Sequence, residues 1–490
     1  MKVRCNWGHF GLALAVMLMA NIASATEEKE QPLVPKEVLD KIVAEGKENS
    51  HVQDHLDYIC NRIGPRLTGS DGLQNACEWA KGKFESMGLE ARLEQWGEFP
   101  TGFNRGPSFG RMVEPEVMTL EFGTNAWTAG TKGRQAGRAV LAPTTDEEWE
   151  AAGDSLKDAW VLVPSSGGGG FRRGGSREEW QKMREEREKM MQRVRDAEPA
   201  GIVEPTRDNL IVTSGNYRME WEDLPTIPEI DLVVEQFDAL SERIKAGEEV
   251  VLEFDIRNFF EKGPIPLYNV IADIPGTEFP DEYVVIGGHL DSWDAATGAT
   301  DNGAGCATTI EVARILMESG FKPKRTIRFM LWTGEEQGLL GSRAYVEQHP
   351  EVVEKVSAVL VHDGGTNYAS GISVLSDQEE DITRIFEPVF DLDERTPFEV
   401  EVVDRRGYGR PGGSDHTSFI RGGAPGFFWK QSGRAVYRNT HHTQFDTFDS
   451  VVPEYQRQTA VVVAVGAAGL ANLDHLLARG DLNGDEESGN

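Results

Sequence analysis

The chain reads as a mixed α/β protein, a mostly parallel sheet flanked by helices and interrupted by a smaller inserted domain. Three observations lead there. After Gly263-Pro264-Ile265-Pro266, short apolar runs alternate with helix-length segments, the pattern of a sheet covered on both faces. Residues 121–262 break that regularity with short β-like stretches and long loops. The length, 490 residues with 39% hydrophobic and 27% charged positions, gives a globular balance and ample material for a large core.

The elements follow in chain order. Lys2 and Arg4 precede the uncharged apolar run Phe10–Ile22, and Ala23-Ser24-Ala25 supplies small residues for cleavage. This predicts a signal peptide over 1–25 and an exported protein, periplasmic or extracellular. The apolar run is shorter than the ~20 residues a spanning helix needs, and no later run is long enough, so no integral membrane segment is expected after cleavage. Cleavage removes Cys5 and leaves Cys60, Cys77 and Cys306. An odd count implies at least one free thiol or an intermolecular bridge, and pairing of Cys60 with Cys77 stays open.

Residues 26–120 form the first part of the main domain. A helix is expected over His51–Ile63 and another over Asp71–Met87, with Ser70 or Asp71 as N-cap and Gly88 as C-cap. In the insert, strands are expected at Ala139–Leu141, Trp160–Val163 and Gly201–Val203. A strand and helix follow over Ile230–Lys245, then a strand over Val250–Ile256. The Gly167–Gly170 run precedes a helix over 177–196, whose Arg and Glu residues at i, i+4 spacing suit a solvated surface.

In the second part of the main domain, residues 263–478, strands are expected at Tyr268–Ile274, Tyr283–Gly287, Arg325–Thr333, Val356–His362 and Gly426–Lys430. Helices are expected over Gly303–Ser319, Gly338–His349, Glu379–Phe390 and Pro453–Leu477. Residues 479–490 read as an acidic tail.

Ligands of such sheets bind at the carboxyl ends of the strands, and the chemistry-bearing residues cluster there. His289 and Asp291 follow one strand, and Asp301 sits in a Gly-rich turn before a helix. Glu335 and Glu336 follow the strand ending in Thr333, Asp363 follows His362, and His441 and His442 lie in a late loop. Carboxylates with imidazoles suit divalent zinc in an open, catalytic site, and the lack of a cysteine argues against a structural one. The donors outnumber what one zinc needs. Two ions sharing a bridging carboxylate fit better, with Asp301 as the bridge because its glycine neighbours allow close backbone approach. Adjacent carboxylates do not point the same way on an ordinary backbone. One of Glu335 and Glu336 therefore binds metal while the other is free as general base. Asp291, two residues after His289, fits the role of fixing a metal-bound imidazole.

The runs Gly288–Asp294, Asp301-Asn302-Gly303 and Leu331–Gly338, with Arg62–Ser70, Pro323–Thr326 and His441-His442, resemble the M28 family of co-catalytic zinc peptidases. The likeness covers roughly 50–475 and is strongest to a carboxypeptidase subgroup acting on short peptides or dipeptides. It implies the zinc exopeptidase type of fold and a protease-associated-like insert. It places His289 and Asp363 on one zinc, Glu336 and His442 on the other, Asp301 between them, and Glu335 as the proton shuttle. His442 is preferred to His441 because the family pattern His-Ser/Thr-x-x-Asp-Thr starts there. Some members carry a Tyr before this ligand that steadies the oxyanion, and His441 occupies that place. Gly412–His416 also resembles a family segment. Consecutive Ser414, Asp415 and His416 cannot converge as a nucleophilic triad does, so a structural or pocket-lining role is expected.

Three alternatives remain: an M28 aminopeptidase, a glutaminyl cyclase-like acyl-transfer enzyme with one zinc, and a non-catalytic receptor-like binding protein. The full donor set and the insert count against the last two. The net charge of −31 argues against nucleic acid as a partner. Loss of Lys2 and Arg4 makes the mature chain two charges more negative. Homodimerisation stays open.

Overall fold

The computed structural model describes residues 32–164, 177–403 and 412–480. The expected signal peptide, the Gly167–Gly170 run and most of the acidic tail lie outside the described residues.

Among the described residues, fourteen strands join in one sheet. In chain order they are β1 (Glu90–Glu114), β2 (Met118–Thr119), β3 (Phe122–Gly123), β4 (Gln135–Leu141) and β5 (Trp160–Leu162). Next come β6 (Gly201–Pro205), β7 (Glu229–Leu232), β8 (Val251–Ile274), β9 (Phe279–His289) and β10 (Arg325–Trp332). Last are β11 (Val356–Val361), β12 (Tyr368–Leu375), β13 (Glu399–Val403) and β14 (Gly426–Ser432). The order across the sheet is β13-β12-β14-β11-β9-β10-β8-β4-β5-β6-β7-β3. Strands β10, β9, β11 and β14 are parallel, as are β4 to β7. The antiparallel pairs β8–β10 and β12–β14 make the sheet mixed.

The central strands carry the apolar runs that two-sided burial demands. Every residue of β10 and β11 is buried. On one face the helices Ala304–Glu318 and Pro453–Ala471 pack into the largest core, with Ile310, Leu316, Val462 and Leu470 inaccessible. The helix Asp71–Ser86 starts where the Ser70 hydroxyl accepts the Leu73 N–H at 3.2 Å and is followed by Gly88 at φ +85°.

Some elements depart from the sequence reading. The stretch expected to be one helix over His51–Ile63 is an α-helix at Val52–Asp57 and then a π-turn at Tyr58–Ile63. Strands expected at Val250–Ile256 and Tyr268–Ile274 are one continuous β8, and β1, not foreseen, pairs with it antiparallel almost end to end. Register shifts near Gln95, Phe99, Arg105 and Met112 let this ribbon bend past its glycines and prolines. The helix Arg177–Asp196 is not wholly solvated: Met191 and Val194 are buried in a small core of the insert. One core is drawn from Met112 to Ile256 and the largest lies around the central strands, while a smaller cluster joins Leu67, Phe99, Leu267 and Trp293 to Ala126 and Trp127 across the two parts. Cys60, Cys77 and Cys306 are all buried and unpaired with one another.

Candidate metal centre

Five loops at the carboxyl edge of the parallel strands deliver the site. His289 is the last residue of β9 and is 1% exposed. Its Nδ1 lies 3.0 Å from the backbone carbonyl of Asp291 and 3.7 Å from that residue's carboxylate. The imidazole is therefore oriented chiefly by the carbonyl. The Asp291 carboxylate does other work: it accepts the N–H groups of Glu335 and Glu336 at 3.3 and 3.2 Å and the Thr68 hydroxyl at 3.0 Å. It thus fixes the loop that carries both glutamates.

Asp301 stands at the centre. Its Oδ1 is 3.4 Å from His289 Nε2 and its Oδ2 is 3.2 Å from His442 Nε2. Asp363, two residues beyond β11, reaches His289 Nε2 at 3.4 Å. Glu336 Oε2 reaches His442 Nε2 at 3.0 Å, while its Oε1 accepts the Trp293 N–H at 3.3 Å. The five expected donors come together, paired as His289 with Asp363 and His442 with Glu336 on either side of Asp301. His441 is drawn in as well: its ring stacks on His442 at 3.8 Å, and its Nε2 is 3.8 Å from Asp301 Oδ2.

Glu335 and Glu336 differ from expectation in one respect. Both line the same cleft of about 840 Å³, together with Asp301, Asp363, Tyr437, His441 and His442. The tight turn after β10, with Gly334 at φ +76° and Leu339 at φ +60°, lets neighbouring side chains share one side. Gly412, Gly413 and His416 line the cleft too, whereas Ser414 and Asp415 are buried beneath it.

The electrostatics are those of an acidic cage. Burial, aided by Asp363, Asp415 and Glu336, pushes the Glu335 carboxyl well above the usual carboxylate range. Burial and Asp301 push Glu336 up to about 7. Burial pulls His442 down, but Asp301 and Glu336 lift it to about 10. Burial disfavours the charged Asp301, yet His289 and His442 hold it below its ordinary value. His289 Nε2 and Asp301 Oδ2 are buried with no hydrogen-bond partner among the described residues. Two groups, Asp301–His441–His442 and His289–Asp301–Glu336, each bring one donor atom per residue within 4.8 Å of one another. Unpartnered imidazole nitrogens and carboxylate oxygens at this spacing fit divalent cations.

Three supporting residues escaped the sequence reading of the site. Arg66 is fully buried and donates to the carbonyls of Leu290, Thr297 and Gly298 at 2.7–2.8 Å and of Gly64 at 3.1 Å. The buried Asp446 carboxylate accepts the N–H groups of Thr300 and Asp301 at 2.6 and 3.1 Å. The Tyr437 ring lies tilted beside His441, centroids 4.9 Å apart, and packs over Gly365, where a Cβ would meet its ring at 2.7 Å. Arg66 and Asp446 lie inside motifs already noted, but their partners are distant in sequence.

A mixed α/β sheet bearing this cage at its carboxyl edge fits the class of metal-dependent enzymes. Residues 269–466 match Peptidase family M28. Carboxypeptidase Q of Mus musculus is 26% identical over 446 residues, covering 89% of this chain and 88% of that protein. A solved peptidase M28 precursor from Shewanella amazonensis is 25% identical with a TM-score of 0.65, covering 91% of this chain and 98% of that one. An aminopeptidase from Aneurinibacillus is 18% identical with a TM-score of 0.51, covering 91% and 97%, and shares the fold. Over residues 269–466 the chain is similar to peptidase family M28, with carboxypeptidase Q among its relatives, and its class is that of a zinc metallo-exopeptidase.

Proposed function

We propose that this chain is an exported di-zinc exopeptidase acting on short peptides or dipeptides. His289 and Asp363 hold one ion, Glu336 and His442 the other, and Asp301 is shared. The observation that carries this is the Asp301 carboxylate, with one oxygen 3.4 Å from His289 and the other 3.2 Å from His442. Zinc in such a site supplies Lewis acidity, activating water and polarising the peptide carbonyl.

The remaining chemistry belongs to the chain. Glu335 is half-buried at the wall of the cleft and makes no ion pair with a histidine among the described residues, so it is free to accept a proton from the attacking water and pass it to the leaving amine. Asp291 holds the Glu335–Glu336 backbone in place. His441 faces Asp301 from the rim and is the candidate donor to the oxyanion, and Tyr437 lines the same wall. A cleft of about 840 Å³ suits a small ligand more than a folded protein. Export rests on the leader Met1–Ala25.

An aminopeptidase would use the same donors and differ only in the terminus its cleft walls accept. The zinc-loaded mature protein should be assayed on one dipeptide in three forms: unblocked, N-blocked and C-amidated. Turnover of the unblocked form is expected. Cleavage of the N-blocked form alone would exclude the dipeptidase and aminopeptidase readings together, and no turnover of any form with zinc bound would sink the exopeptidase reading.

A further inference from the structure

The two proposed ion positions are anchored differently. His289 ends β9 and Asp363 follows β11, both central strands of the sheet. His442 instead lies in a loop, with its side chain 27% exposed and its backbone left-handed at φ +63°. A non-glycine residue holds that conformation only where its surroundings enforce it.

Much of that enforcement comes from the inserted lobe. The Thr213 N–H donates to the His442 carbonyl at 3.2 Å, and Val212 and Thr443 form an antiparallel bridge. Gln444 clasps the same segment from the other side. Its Oε1 accepts the Ile211 N–H at 2.9 Å, and its Nε2 donates to the Asn209 carbonyl at 3.1 Å and to Glu121 at 3.2 Å. Arg438 pairs with Asp208 at 3.3 Å, but both are largely exposed and the pair adds little. Within the insert, Asn125 Oδ1 accepts both the N–H and the hydroxyl of Ser214 at 2.9 Å. The catalytic side supplies the Asp446 clamp and the turn from Tyr437 to His441, and neither bonds the His442 carbonyl.

We propose that the inserted lobe sets the affinity of one of the two metal positions: the segment Asp208–Ser214 holds His442 in its ligand-presenting conformation. Gln444 and Asn125 are positioning residues in this scheme, acting through the His442 backbone. The proposal rests on the two-ion reading above. Loosening the contact should weaken the ion held by His442 and Glu336 and spare the one held by His289 and Asp363.

The test is a graded chelator titration of the full-length zinc-loaded protein, reading metal per chain. The wild type is compared with Gln444→Ala, which breaks the clasp from the catalytic side, and Asn125→Ala, which loosens it within the insert. Either variant should release one ion at a chelator concentration roughly ten-fold lower, with the second leaving at the wild-type concentration. General destabilisation would move both ions together, and that result, or no shift in either variant, overturns the proposal. A wild-type chain that holds a single ion refutes the two-ion reading itself, a distinct outcome that removes this proposal with it.

Discussion

Glu335 and Glu336 are neighbours with different surroundings, and the division of labour proposed for them rests on that difference. Glu336 touches His442 and the Trp293 N–H, while Glu335 faces the cleft without either contact. Glu335→Gln should therefore lower kcat by about 10²–10⁴-fold and leave metal content unchanged, measured on the same preparation. Wild-type turnover in that variant would assign the base elsewhere. A second residue-scale effect concerns a carboxyl outside the donor set. Burial, with Glu229 nearby, pushes Asp231 in β7 up to about 6 from 3.8. The folded chain thus keeps a proton that the unfolded chain releases, so stability declines as pH rises from about 4 to 6 and stays reduced above. Asp231→Asn should remove that decline and gain roughly 3 kcal/mol at pH 7, read by urea unfolding at pH 4 and pH 7. An equal gain at both pH values contradicts the assignment. The donors were legible because Asp, Glu and His immediately after apolar strands have few other uses in such number. Arg66 was not, because its carbonyl acceptors at Leu290 and Gly298 stand more than two hundred residues away.

At the scale of elements, periodicity resolved those with one clear face or full burial. The helix Ala304–Glu318 and the strands β10 and β11 lie within a residue or two of their expected ends. The ribbon of β1 and β8 did not announce itself. Its glycines and prolines, including Gly97, Pro100, Gly106, Pro107, Pro264 and Pro266, read as loop, and only pairing along the whole length makes it strand. The loop from Leu290 to Gly298 has no regular structure and is built around one guanidinium. Arg66→Ala leaves several buried carbonyls without donors and should cost about 3 kcal/mol or more, measured by denaturant unfolding. A loss below about 1 kcal/mol would mean that water replaces the guanidinium freely.

For the whole molecule, one sheet runs through residues 121–262 and the flanking segments alike, and the cluster of Leu67, Phe99, Ala126, Trp127, Leu267 and Trp293 packs the two parts together. The change of rhythm over residues 121–262 was visible in the sequence. That segment's contact with the His442 loop was not, since backbone-to-backbone pairing such as Thr213 to His442 leaves no residue signature. On the proposed reading, metal binding only the folded cage stabilises it, so chelation should lower the thermal midpoint and added zinc restore it. At zinc a hundred-fold above Kd the expected gain is about 2.7 kcal/mol per site. A midpoint indifferent to chelator would show that the cage folds and stands without metal.

The central claim concerns two ions sharing Asp301, and anomalous diffraction at the zinc edge from crystals of the purified protein addresses it directly. Two peaks are expected, one between His289 and Asp363 and one between His442 and Glu336, each within bonding distance of one Asp301 oxygen. A single peak, or a pair that Asp301 does not join, contradicts the account.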